Sequence, residues 1–263
     1  MKELTVEGLH NRLLAIAKEF DRICRKHDIP YYMLGGTMLG AVRHKGFIPW
    51  DDDMDFGVPR PYYDKLKGIL ENELPEYYEL KTVENCDINF VDITKISDKR
   101  TLVKEMFKEN CKDELGVNVD VFCLDYTNGN KSVFSRNRII TTLKKILDYK
   151  YSSLGLRPLH KDLLAVGVKV VMLPFGKRSI VNFIRKHLIR EEGDYIANYY
   201  GAWALGEIVP KEWMGTPQAY KFEDTEFLGV ADAHQYLSSL YGDYMQLPPE
   251  DKRHLHMEGT WEK

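Results

Sequence analysis

Met33-Leu34-Gly35-Gly36-Thr37-Met38-Leu39-Gly40-Ala41-Val42-Arg43, followed by Ile48-Pro49-Trp50-Asp51-Asp52-Asp53-Met54-Asp55-Phe56-Gly57-Val58, reads as a strand–turn–helix unit and a second strand returning beside it. Tyr31 to Leu34 is apolar and stops at Gly35-Gly36, a pair that breaks a strand. A short helix follows from about Thr37 to His44, and Pro49 introduces a strand from about Asp53 to Val58. Four carboxylates, Asp51, Asp52, Asp53 and Asp55, fall within five residues. Like charges at this density repel, so the cluster calls for a cation. In a strand, Asp53 and Asp55 share one face, while Met54, Phe56 and Val58 take the other. An oxygen-only donor set of this kind suits Mg²⁺, with Mn²⁺ as a substitute. The bland alternative is a solvated acidic turn or a Ca²⁺ loop.

A third carboxylate comes later. Asp120 sits in Val117-Asn118-Val119-Asp120-Val121-Phe122, an otherwise apolar strand. A buried carboxylate is costly unless it is paired or metal-bound. Beside Asp53 and Asp55 it would complete a metal site or accept a proton from an attacking hydroxyl; capping a neighbouring turn is the alternative. Gly35-Gly36 lets backbone approach a phosphate, and Gly35, Gly36 and Thr37 open a helix whose first N–H groups suit an anion. A Gly-Gly turn alone is often only a turn, but this one lies 18 residues before Asp53. Arg43, at the end of that helix, and Lys95, on a strand from Phe90 to Ile96, are the candidate cations for a diphosphate. Solvated side chains are the alternative for both.

Outward from this core, Leu13, Leu14, Ile16, Ala17, Phe20, Ile23 and Cys24 recur at helical spacing within a first helix from about Thr5 to His27. Arg60-Pro61 begins another helix, and Tyr78 to Val83 and Val117 to Leu124 are further strands. The order predicts an α+β fold, a mixed sheet flanked by helices. Three parts are expected: a catalytic core over 1–130, a basic apolar helical insert over 131–190, and a C-terminal helical part over 191–263 that completes the site. The middle part holds 14 Lys and Arg against Asp148 and Asp162, a local net of +12, whereas the remainder carries 23 basic and 38 acidic residues. Its apolar centre, Leu163 to Leu173, is interrupted by Lys169 and is too short to span a bilayer. A helix lying on an anionic membrane surface is one reading, a buried hairpin with solvated basic edges the other. The stretch lacks interleaved aromatics for base stacking, so nucleic acid is not expected as a partner.

The chain has 263 residues, 44% of them hydrophobic and 29% charged, which suits a well-cored globular protein. Cys24, Cys86, Cys111 and Cys123 form no CxxC pair, so they read as reduced thiols of a cytoplasmic protein. No signal peptide is expected at the N-terminus. Tyr199, Tyr200 and Trp203 crowd together and could cage a quaternary ammonium, with a core role as the alternative. Trp50 could touch the base or alcohol of a donor, or belong to the core. His254 and His256 could contact an acceptor, or lie in a solvated tail.

The pattern Gly-Gly-x-x-x-Gly-x-x-Arg followed by Ile48-Pro49-Trp50-Asp51-Asp52-Asp53-Met54-Asp55 resembles the signature of the LicD family, whose core is shared with fukutin and fukutin-related protein. The match runs from Met33 to Val58. A second box, Tyr236-Leu237-x-x-Leu240-Tyr241-Gly242-Asp243-Tyr244-Met245, resembles the family's C-terminal end, and Asp120 matches its later strand carboxylate. Cys123 stands where proline is expected. The resemblance is faint from Lys131 to Arg190. It implies a nucleotidyltransferase-like fold and transfer of a phospho-alcohol, such as phosphocholine or ribitol phosphate, from a CDP-linked donor to a glycan hydroxyl, with release of CMP. It implies a role in decorating lipopolysaccharide or teichoic acid, at the inner face of the cell membrane if the acceptor is lipid-linked. On that reading Asp53, Asp55 and Asp120 are the catalytic metal ligands, and Gly35, Gly36, Thr37, Arg43 and Lys95 bind the donor. The rival reading is a nucleotidyltransferase moving AMP or CMP onto a small molecule, protein or RNA.

Overall fold

The computed structural model describes residues 1–86, 93–104, 113–142, 149–150, 158–188, 190, 192–253 and 259–263. Strand β1 (Lys2–Glu3) leads into helix α1 (Val6–Lys26), whose start is fixed by Thr5, its hydroxyl accepting the Gly8 N–H at 3.1 Å. This is the N-cap arrangement that satisfies an unpaired helix donor. The period of α1 buries Leu13, Ile16, Ala17, Phe20, Ile23 and Cys24 completely. After α1 come β2 (Tyr32–Met33), α2 (Gly35–Arg43), β3 (Asp55–Pro59) and α3 (Arg60–Glu73). Next are β4 (Tyr78–Lys81), β5 (Thr94–Asp98), β6 (Thr101–Lys104) and β7 (Asn118–Thr127).

Among the described residues, seven strands make one mixed sheet in the order β2-β3-β7-β5-β4, with β8 (Tyr195–Ala197) paired to the last three residues of β7 and β9 (Ile208–Pro210) paired to β8. Strands β3 and β7 run parallel; the other pairs are antiparallel. Helices α1 and α3 pack on this sheet. Phe20, Tyr31 and Phe56 meet at centroid distances of 4.9 to 5.4 Å and join α1 to β3. Truncating such a ring leaves a cavity, so Phe20→Ala is expected to cost about 3–5 kcal/mol, read from the shift of a urea unfolding curve.

The α+β mixed-sheet expectation holds, with differences of detail. Helix α2 begins at Gly35, two residues before the expected start, so the Gly-Gly pair lies in its first turn. Strand β3 begins at Asp55, not Asp53. The cause is a turn: the Asp51 N–H bonds back to the Ile48 carbonyl at 2.9 Å, with Pro49 at the second position, where its fixed φ favours a turn. The expected strand from Phe90 is seen from Thr94 onward; Phe90 itself lies outside the described residues.

The 131–190 stretch is helical where described: α4 (Lys131–Thr142), α5 (Leu159–Val171) and α6 (Lys177–His187). Helices α4 and α6 pack together, and Phe134, Ile180, Val181 and Ile184 join the main core. The C-terminal part holds the short helix α7 (Lys211–Met214) and α8 (Ala233–Tyr241), but also strands β8 and β9, the hairpin β10 (Gln218–Phe222) with β11 (Thr225–Gly229), and β12 (Gly259–Glu262). Strand β12 sits between β1 and β6 in a separate three-stranded sheet. The hairpin turn is Glu223-Asp224, with Glu223 at φ 54. It lacks the glycine that usually marks such a turn, which is why a helical reading of this part did not contain it.

Candidate active site

Parallel pairing of β3 with β7 sets Asp55 directly beside Asp120, and antiparallel pairing of β5 with β7 sets Lys95 on the other side of Asp120. Residues opposite one another in a ladder share a face, so Asp55, Asp120 and Lys95 form a row across three strands. The Lys95 ammonium reaches both Asp120 oxygens, at 2.6 and 2.7 Å, and donates to the Asn118 side-chain oxygen at 3.2 Å. The costly carboxylate of the apolar strand β7 is thus paired with a lysine.

Asp55 is held from behind. Its N–H donates to the hydroxyl of buried Thr37 at 2.8 Å, and its carbonyl accepts from the Leu34 N–H at 2.9 Å. Thr37 therefore ties the start of α2 to the start of β3. Burial pushes the Asp55 carboxyl well above the ordinary carboxylate range; the charges of Asp53 and Asp120 push it further, and Lys95 opposes them.

The glycines of α2 are placed by close approach. Gly35 takes φ +48, a backbone region that disfavours a side chain, and its N–H donates to the Tyr236 hydroxyl at 3.1 Å. A Cβ on Gly36 would lie 2.8 Å from the Asp51 carboxylate. The loop carrying Asp51 is pinned on both sides. His10 lies 2.7 Å from the Asp51 carbonyl, and Glu223 accepts the Phe47 N–H at 2.9 Å. The strained hairpin turn thus has a task in positioning the acidic loop.

Asp51, Asp53, Asp55 and Gly36 line one cleft of ≈ 690 Å³. The C-terminal part supplies a further wall of it, from Trp203, Tyr241, Asp243 and Tyr244. Trp203 and Tyr241 meet edge to face, 4.9 Å apart at 72°. Arg43 also lines the cleft, and its guanidinium donates to the Tyr244 carbonyl at 2.8 Å, clamping α2 to that wall. Burial lowers the Arg43 pKa. Trp50 lines the cleft with the Arg253 guanidinium 5.1 Å from its ring centre.

Among the described residues, Asp51, Asp52 and Asp53 bring one carboxylate oxygen each to within 4.8 Å of one another and could hold a metal ion. Sequence reasoning left Asp51 and Asp52 out of the site, because it carried the strand back to Asp53. The Ile48-Pro49-Trp50-Asp51 turn was the signal that could have found them. Asp243 was legible only as part of a motif, without a role. Of the three aromatics proposed to form a cage, Tyr199 and Tyr200 are buried, Tyr199 stacking on Phe134, and only Trp203 reaches the cleft. His254 and His256 lie outside the described residues.

A profile described as the LicD/FKTN/FKRP nucleotidyltransferase domain matches residues 28–161. The lipopolysaccharide cholinephosphotransferase LicD of Haemophilus influenzae is 31% identical over 269 residues, covering 97% of this chain and 97% of that protein. Two uncharacterised Rickettsia proteins match over 68 residues each: one of Rickettsia prowazekii at 38% identity, covering 26% of this chain and 24% of its own, and one of Rickettsia typhi at 46%, covering 26% and 21%.

Proposed function

Because the chain belongs to the LicD/FKTN/FKRP nucleotidyltransferase family and is thereby a transferase of LicD type, we propose that it moves phosphocholine or a related phospho-alcohol from a CDP-linked donor to a hydroxyl of a cell-surface glycan. The glycan class follows the Haemophilus relative, named for lipopolysaccharide, and the reaction is assigned to the cytoplasmic side of the cell envelope. The observation that carries the proposal is a single cleft lined by the carboxylates Asp51, Asp53 and Asp55 together with the aromatic pair Trp203 and Tyr241.

The oxygen-only donor set fits a hard divalent cation, Mg²⁺ or Mn²⁺. Asp51, Asp52 and Asp53, with Asp55, would hold it, and Asp120 beside Asp55 would complete the set. When bound, the cation neutralises the diphosphate and steadies the charge on the departing phosphate. The acceptor hydroxyl oxygen bonds to the phosphorus bearing the alcohol. The bond from that phosphorus to the CMP phosphate oxygen breaks, CMP leaves with the electron pair, and the hydroxyl proton passes to the carboxylate cluster. Gly36 keeps the backbone low enough for the diphosphate to approach. Lys95 keeps Asp120 aligned, and Arg43 holds the wall against which the donor lies.

Trp203 and Tyr241 offer π faces to a quaternary ammonium, a contact worth about 0.5–2 kcal/mol. Trp203→Ala is expected to raise KM for a CDP-choline donor about tenfold while leaving KM for a CDP-ribitol donor unchanged. The test of the whole reading is incubation with Mg²⁺, a panel of CDP-alcohols and a lipopolysaccharide acceptor, followed by assay of CMP. CMP release with label entering the glycan supports it. Pyrophosphate release from a nucleoside triphosphate, without CMP release, would overturn it in favour of nucleotidyl transfer.

A further inference from the structure

Helix α5 is amphipathic the wrong way round for a core helix. Ala165 is its buried residue, and Met172 just beyond its end packs on the core. The larger apolar residues Leu159, Leu163, Val166 and Val170 follow the 4-3-4 spacing of one helical stripe, yet they face outward. Leu159 is 76% exposed, Leu163 64% and Val170 62%. Leu173 and Phe175 continue the apolar surface past the end of the helix, at 74% and 50% exposure. Contiguous apolar surface of this kind marks an interaction site.

The surrounding charge says what covers it. From Pro158 to Arg190 there are seven Lys and Arg against one acid, Asp162. Lys161, Arg178 and Lys186 are exposed. A second copy of this net-positive segment would set positive against positive. At 13 residues α5 is about 20 Å long, and no described helix is long and apolar enough to cross a membrane. We infer that α5 and the Leu173–Phe175 turn form a docking surface for an anionic lipid membrane. The helix lies in the interface with its Leu/Val stripe among the acyl chains, and the flanking cations rest on the headgroups. Vesicle binding needs neither donor nor acceptor, so this inference stands or falls apart from the proposed transferase reaction.

The test is co-sedimentation of the full chain with vesicles of phosphatidylglycerol and phosphatidylcholine, against phosphatidylcholine alone, at low and high salt. The wild type is expected to pellet with the anionic vesicles and to be released by salt. Leu163→Glu with Val170→Glu is expected to abolish pelleting, with circular dichroism unchanged because both side chains are exposed. Lys161→Glu with Arg178→Glu should weaken binding at least about 25-fold, since each surface cation contributes about fivefold. No pelleting of the wild type at low salt would overturn the inference. So would a dimer in sedimentation velocity that the Leu163→Glu, Val170→Glu variant converts to monomer, because the stripe would then be covered by a second copy.

Discussion

Asp55→Asn is expected to lower transfer by about 1000-fold or more, the scale of the several kcal/mol a divalent cation contributes to charge stabilisation, while the metal-free protein becomes more stable. The two effects share one cause. Asp55 stands beside Asp120 in the sheet and close to Asp53, with its carboxyl pushed up by burial first and by those charges next. Its pKa is therefore higher in the folded chain than in the unfolded one, and the folded chain binds the extra proton. Metal-free stability then falls as pH rises from the unfolded value, about 4, toward the folded one. Asparagine removes that loss. At neutral pH a rise in Tm of about 2–4 °C is expected, the shift that ~1 kcal/mol produces in a chain of this size, and near pH 4 the gain should vanish. Added Mg²⁺ should raise the Tm of the wild type and leave the variant unmoved. A wild-type-like rate at saturating Mg²⁺, or an equal Mg²⁺ shift in both proteins, would remove Asp55 from the metal site.

Gly36→Val should separate a phosphate-facing turn from a merely structural one. The new Cβ would meet the Asp51 carboxylate at 2.8 Å, closer than side chains pack, and its methyl groups would project where Gly36 lines the cleft. Donor KM is expected to rise at least about tenfold, the equivalent of 1.4 kcal/mol of lost binding. Mg²⁺ affinity, followed by calorimetry, should weaken as Asp51 is displaced. Gly68→Ala in α3 is the control: a Cβ there meets nothing within 4 Å, so kinetics should be unchanged and stability slightly improved. A folded Gly36→Val protein with normal donor KM and metal affinity would show that the turn only shapes the chain.

Much of the site was legible because its signals are short in sequence. Gly35-Gly36, the crowded acids and Arg43 lie within 21 residues of one another. Asp120 was legible for a different reason: a charge in an apolar strand needs a partner. What could not be read was the identity of that partner. Lys95 meets Asp120 only because β5 lies next to β7, and strand order follows from how the whole sheet closes. The aromatic wall was half visible. Tyr199, Tyr200 and Trp203 are neighbours in the chain, but Tyr199, stacked on Phe134, and Tyr200 are buried, and Trp203 is left for the cleft.

Local chemistry determined where α1 starts, why the strand from Tyr31 stops at Gly35-Gly36 and why four aspartates in five residues require compensating charge. These depend on hydrogen bonds, φ angles and Coulomb repulsion between residues close in the chain, so the sequence by itself carries them. Tertiary structure alone decided that Asp55 and Asp120 stand side by side and that the Leu/Val stripe of α5 faces outward. Periodicity tells which residues share a face; it does not tell whether that face is covered. That is set by elements arriving from distant parts of the chain, and at α5 the core takes Ala165 and leaves Leu163 and Val170 outside.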